Sequence, residues 1–126
     1  MKRVVDTSVW IEWIAGNWRS DVLAKEMPAR EETIVPTIVQ LELVKWARRE
    51  AGTGVAERIL GFTMLCQIVP LDTKIAVSAA EFSRSHKLPT ADAIVYATAI
   101  DADADLLTCD AHFKGLDSVV YLPKGG

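Results

Sequence analysis

Four acidic residues, Asp6, Glu42, Asp92 and Asp110, give this sequence its capacity for chemistry. Asp6 follows the apolar pair Val4-Val5, and Asp110 follows Leu106-Leu107-Thr108-Cys109, so each closes a candidate strand. Asp92 falls in the first turn of a helical pattern that opens after Pro89, and Glu42 in the second turn of one that opens after Pro36. In an open parallel sheet, ligands bind beyond the carboxyl ends of the strands, where the strand order reverses. If the first and fourth strands are neighbours at that point, Asp6 and Asp110 face each other. A helix that feeds directly into a parallel strand runs opposite to it, so Asp92 and Glu42 belong at the same rim.

Carboxylates gathered in this way suit Mg²⁺ or Mn²⁺, hard ions that favour carboxylate oxygen and water. One or two such ions would fit. A pair ~3.5–4 Å apart can hold both the attacking water and the leaving oxygen of a phosphodiester. Without metal the carboxylates repel one another, and at least one should hold its proton more tightly than a free side chain does. Each acid alone has a plainer reading. Asp6 could be an N-cap, Asp92 a first-turn acid favoured by the helix dipole, Glu42 a solvated helix position, and Asp110 the cap of a short Ala111–Lys114 turn. Those readings do not explain why four such residues converge.

The positioning elements can be read from the apolar pattern. Candidate strands are Lys2–Val5, Thr33–Val35, Gln67–Val69, Leu106–Thr108 and Val119–Leu122. Short apolar runs without alternation imply a parallel sheet covered on both faces. Helical patterns run over Val9–Ala15, Asn17–Met27, Thr37–Glu50, Val55–Leu65, Thr73–His86 and Thr90–Ala102. Thr37 with Gln40 has capping-box spacing, and Asp72 and Thr90 are expected N-caps. The Thr90–Ala102 segment is apolar nearly all round, as a buried helix is. Strands alternating with helices define an α/β fold, a three-layer α/β/α sandwich. The pair of helices between the third and fourth strands is not placed by simple up–down counting.

Length and charge narrow the function. The chain has 126 residues, half of them hydrophobic, which is expected to form a single domain, 1–126, with a substantial core. No run reaches the ~20 apolar residues of a membrane span, and the N-terminal run breaks too early for a secretory signal. A cytoplasmic location is the expectation. Cys66 and Cys109 lack CxxC spacing and read as small buried residues. The net charge of -3 argues against a passive RNA-coating module. It leaves room for a nuclease in which bound metal offsets phosphate repulsion.

Val5-Asp6-Thr7-Ser8-Val9-Trp10, Gln40-Leu41-Glu42-Leu43, Ala91-Asp92-Ala93-Ile94 and Leu107-Thr108-Cys109-Asp110-Ala111-His112-Phe113, in this order and spacing, resemble the PIN-domain ribonucleases. The likeness is greatest to the VapC-type toxins of toxin–antitoxin operons. It implies a five-stranded parallel sheet in order 3-2-1-4-5 and Mg²⁺- or Mn²⁺-dependent endonucleolytic cleavage of RNA to a 5′-phosphate product. It also implies a cognate antitoxin and a homodimer. By this resemblance Asp6, Glu42, Asp92 and Asp110 take the metal-site positions, and Ser8 and Thr108 are hydroxyls that orient a carboxylate or water. One position departs from the pattern: His112 stands where many members carry an acid, which leaves the outer metal shell open and the four main acids intact.

Other residues have competing readings. Trp10, Trp13 and Trp18 cluster by the first helix and Trp46 lies on the third; they suit a core or an antitoxin interface. Arg48 and Arg49 could reach RNA phosphates or an acidic antitoxin residue, against a solvated helix face. Asp101, Asp103 and Asp105 read as a solvated helix end, because Asp103 is eleven residues past Asp92 and so ~16 Å along the helix. His86 should be exposed at a helix end, while His112 could touch phosphate or a metal-bound water. Two alternatives stand beside a toxin nuclease. An aspartyl-phosphate enzyme of the haloacid-dehalogenase kind would need a second Asp where this chain has Ser8. The other is a catalytically silent binding module or a PIN-type nuclease that is not a toxin.

Overall fold

The short β-branched runs form a five-stranded, all-parallel sheet in the order β3-β2-β1-β4-β5. The strands are β1 (Arg3–Val5), β2 (Thr33–Pro36), β3 (Gln67–Val69), β4 (Asp105–Thr108) and β5 (Val119–Tyr121). A computed structural model describes residues 1–16 and 20–124. Six α-helices lie among them: α1 (Thr7–Ala15), α2 (Ser20–Glu26), α3 (Thr37–Glu50), α4 (Thr53–Thr63), α5 (Thr73–Ser85) and α6 (Thr90–Asp101). The architecture is the expected α/β/α sandwich. Trp18 and the start of the expected Asn17–Met27 helix lie outside the described residues. No helix among the described residues is long and apolar enough to cross a membrane.

The central strands are apolar because both of their faces are covered. Val4, Val5, Ile34, Val35, Leu106 and Leu107 are fully buried. The all-round apolar pattern of α6 has the same cause: it packs against β1, β4, α3 and α5, and Ala93, Val95, Tyr96, Ala97, Thr98 and Ala99 are buried. Helices α5 and α6 form a hairpin joined at His86–Pro89. Lys74 near the start of α5 meets Asp101 at the end of α6 at 2.8 Å. The two helices therefore act as one connection between β3 and β4, which explains the element that simple counting left unplaced.

Several local expectations change. Asp72 caps α5 as expected, accepting from the Ile75 N–H at 2.9 Å. Thr37 and Thr90 do not cap their helices. Each is the first helical residue, after Pro36 and Pro89, and neither helix has a side-chain cap. Tertiary partners take the capping-box groups instead: the Thr37 hydroxyl accepts from Leu71 N–H, and the Gln40 amide donates to Thr63 Oγ1. The Asp101–Asp105 group is not simply solvated, because Asp105 lies opposite Arg3 in register and forms a two-pronged ion pair with it at 2.8 and 2.9 Å. Cys109 is buried, whereas Cys66 is only partly so.

Candidate metal centre

Asp6 occupies the N-cap position of α1, yet its carboxylate makes no capping bond. Its N–H continues the β1–β4 ladder by donating to Leu107 O at 2.9 Å, which places the side chain directly over the sheet's carboxyl edge. Ser8 Oγ and Thr108 Oγ1 both donate to Asp6 Oδ2, each at 2.8 Å. Each hydroxyl in turn accepts a backbone N–H, Ser8 from Cys109 at 3.0 Å and Thr108 from Asp110 at 2.9 Å. These accepted bonds fix the direction in which each hydroxyl donates, so Asp6 is held by two oriented O–H groups. Oδ1 accepts no hydrogen bond among the described residues. Burial pushes the Asp6 carboxyl up to about 6, the two hydroxyls oppose the shift, and the charges of Asp92 and Asp110 add to it.

Asp92 comes to the same edge in the first turn of α6 and Asp110 directly after β4. His112 lies in the single-turn 3-10 helix Ala111–Phe113. Its Nδ1 lies 2.8 Å from Asp92 Oδ2 and 3.3 Å from Asp110 Oδ1. One donor atom each from Asp92, Asp110 and His112 lies within 4.8 Å of the others. Burial raises the Asp92 carboxyl, and this outweighs the opposing bond from His112; the charges of Asp110 and Glu42 contribute. The bond to Asp92 raises the His112 imidazole. Asp110 also meets its plainer reading, since its Oδ1 accepts the His112 N–H at 2.9 Å.

Glu42 reaches the same region from α3. Its Oε1 accepts from Thr7 Oγ1 at 2.7 Å, and its charge is felt at Asp92. The structure thus brings all four acids to one rim, but the three-donor group within one ion's reach is Asp92, Asp110 and His112. Asp6 and Glu42 are held beside it by hydroxyls. Thr7 is the residue that sequence reasoning missed; its adjacency to Asp6 was the available signal. Among the described residues, the ion pairs made by these acids are those with His112 alone. A cavity of about 400 Å³ lined by Ser8, Cys109, Asp110, Ala111, Tyr121 and Lys124 opens beside them.

The remaining candidates separate by position. Trp10 is buried, and its indole N–H has no acceptor among the described residues. Trp13 is half exposed and packs with Trp10 and Phe62. Together they line a groove of about 330 Å³ with Ile14, Val55, Arg58 and Ile59. Trp46 is half-buried on α3, while Arg48 and Arg49 are exposed in its last turn, beside a larger concavity that holds none of the four acids. His86 is exposed at the end of α5, as expected.

A parallel α/β/α fold with an acidic cluster over the β1–β4 junction defines the class. The PIN domain family pattern matches residues 3–119, and the chain belongs to that family. No curated protein matches the sequence. Solved structures share the fold at low identity. A toxin–antitoxin complex from Klebsiella pneumoniae is 22% identical with a TM-score of 0.80, over 94% of this chain and 96% of that one. FitAcB from Neisseria gonorrhoeae is 22% identical with a TM-score of 0.78, over 96% and 97%. VapC20 from Mycobacterium tuberculosis, described as a sarcin–ricin loop cleaving toxin, is 16% identical with a TM-score of 0.76, over 94% and 97%.

Proposed function

We propose that this chain is the toxin of a toxin–antitoxin pair and a divalent-metal-dependent endoribonuclease, with Asp6, Glu42, Asp92 and Asp110 as its acidic site. The observation that carries the proposal is the convergence of four acids, distant in sequence, on one sheet edge with His112 as their sole ion-pair partner among the described residues. The donor set fits a hard cation. It is mostly carboxylate oxygen, and Asp6, only 4% exposed, keeps one oxygen free of hydrogen bonds among the described residues. A buried carboxylate without a cation is costly, and a cation relieves several at once.

Asp92 and Asp110 would hold the ion, Mg²⁺ or Mn²⁺, with Asp6 and Glu42 as further acids beside them. Bound there, the cation supplies positive charge against the phosphodiester and makes water more acidic. The chain's own groups do the positioning. Ser8 and Thr108 hold Asp6 by Oδ2 and leave Oδ1 without a hydrogen bond among the described residues. Thr7 holds Glu42. The Asp110 backbone N–H ties the loop after β4 to Thr108, so Asp6 and Asp110 keep a fixed separation. Lys124 and Tyr121 in the adjoining cavity offer a cation and an aromatic face to the nucleotide next to the cleaved bond.

The aromatic groove of Trp10, Trp13 and Phe62 supports a protein partner, because exposed Trp and Phe beside an Arg form an anchor site. The similar structure from Klebsiella pneumoniae is a toxin–antitoxin complex, and an antitoxin segment is the occupant proposed here. A single domain, a homodimer and a cytoplasmic location belong to the same reading.

The decisive measurement pairs Mn²⁺ binding with RNA cleavage. Asp6→Asn and Asp92→Asn should each abolish cleavage while circular dichroism stays unchanged. Full cleavage by both variants removes the mechanism. Failure of the unaltered chain to bind Mn²⁺ favours the silent binding module.

A further inference from the structure

His112 is exposed, its side chain 59% accessible, in the single 3-10 turn Ala111–Phe113. It turns inward, with Nδ1 set between two carboxylates at 2.8 and 3.3 Å. An exposed ion pair gives little reason for this, since such pairs add little stability and immobilise the side chain. The spacing suggests another role. Neighbouring donors around an ion with bonds of ~2.1 Å lie ~3 Å apart, and the two gaps at Nδ1 bracket that value. The backbone N–H of His112 also holds Asp110 Oδ1, so the residue orients one ligand through its main chain while presenting its ring. Donor atoms of His112, Asp92 and Asp110 all lie within 4.8 Å of one another, and Asp6 Oδ1 has no competing hydrogen bond among the described residues.

We propose that His112 is a nitrogen ligand to the cation held by Asp92 and Asp110, and that it tunes this site toward transition ions over Mg²⁺. The inference rests on the metallonuclease reading only in requiring a cation at this rim. Imidazole suits transition metals; Mn²⁺ favours oxygen as Mg²⁺ does, but it accepts a nitrogen ligand more readily than Mg²⁺, which keeps an all-oxygen shell. One neutral nitrogen in place of a carboxylate also lowers the negative charge of the shell, which weakens purely electrostatic Mg²⁺ binding more than partly covalent Mn²⁺ or Co²⁺ binding.

Three forms of the full-length protein test this: unaltered, His112→Ala and His112→Asp. Each is titrated calorimetrically with Mn²⁺ and with Mg²⁺, and the Mn²⁺-loaded forms are examined by pulsed electron paramagnetic resonance for ¹⁴N coupling. The unaltered chain should show a histidine nitrogen coupled to Mn²⁺, and both variants should lose it. His112→Ala should bind Mn²⁺ at least tenfold more weakly, with a smaller change for Mg²⁺. His112→Asp should bind both ions with the Mn²⁺-over-Mg²⁺ preference reduced at least tenfold. If the ring is only a counter-ion standing in the cation's place, no ¹⁴N coupling appears and His112→Ala binds Mn²⁺ as tightly or more tightly; either result overturns the proposal. Mn²⁺ binding that is lost in Asp92→Asn but shows no nitrogen coupling sinks this inference and leaves the nuclease reading standing. Absence of any Mn²⁺ binding removes both.

Discussion

Thr108 and Asp6, 102 positions apart, are joined by a buried hydrogen bond of 2.8 Å in which the hydroxyl donates to the carboxylate. The Thr108 hydroxyl oxygen in turn accepts the Asp110 N–H at 2.9 Å. One fully buried threonine therefore couples two acids of the candidate site, and the β1–β4 pairing puts it there.

Replacing that threonine tests the coupling. Thr108→Val keeps the shape, strands the Asp110 N–H and leaves Asp6 Oδ2 with the Ser8 hydroxyl alone. It should destabilise the fold by about 1–3 kcal/mol and weaken metal binding roughly 10–100-fold, as loss of a group that orients a ligand does. Thr108→Ser should recover most of both. Urea unfolding and Mn²⁺ calorimetry measure the two effects. A valine variant that binds metal normally shows that Asp6 needs no such support.

The buried Asp6 makes stability depend on pH. Its carboxyl stands at about 6 against an ordinary 3.8, so folding favours the protonated form. The associated stability is full below 3.8 and is lost as pH rises through about 6. The shift corresponds to a cost of about 3 kcal/mol at pH 7, by ~1.4 kcal/mol per pH unit. Metal-free Asp6→Asn should therefore be more stable than the unaltered chain at pH 7, with the advantage mostly gone near pH 4. Denaturation with chelator present at both pH values checks this, and an equal effect at both contradicts it.

His112, a base beside these acids, gives a separate prediction. Its bond to Asp92 raises it above the ordinary 6.5, so the linked stability is present below 6.5 and is lost as pH rises through the raised value. In metal-free protein, the imidazole proton signals should titrate above 6.5 by nuclear magnetic resonance. Asp92→Asn should move the midpoint down, because it removes the largest cause of the shift. No movement would mean that the bond does not form in solution.

The far rim provides a control. Arg3 grips Asp105 with two prongs and also donates to the Glu26 carbonyl at 2.8 Å. These groups are partly buried, and Arg3→Ala leaves Asp105 unpaired. A loss of about 2–3 kcal/mol is expected. Arg3→Lys should recover only part, since one ammonium cannot match both carboxylate oxygens. Mn²⁺ affinity should stay unchanged in both, because the pair lies at the opposite end of β1 and β4 from Asp6.

Much of this was legible in the linear pattern. Val4-Val5 and Leu106-Leu107 read as buried parallel strands because no polar residue interrupts them, so Asp6 and Asp110 could be placed at strand ends. Pro89 marks where α6 opens, which put Asp92 in its first turn. Helix ends were read less well. The Thr37 and Gln40 groups have capping spacing, but Leu71 and Thr63 compete for them from other elements, and spacing along one segment carries no information about such rivals.

The sequence by itself determined the element types, the strand ends and the four acids, because burial and backbone geometry act over a few residues. Only the tertiary structure decided what each acid touches. Arg3 meets Asp105 through the register of strands about a hundred residues apart, and Glu42 turns to Thr7. His112 leans between Asp92 and Asp110 because a single 3-10 turn aims it there. These outcomes depend on distances between segments, and such distances are set only when the sheet is assembled.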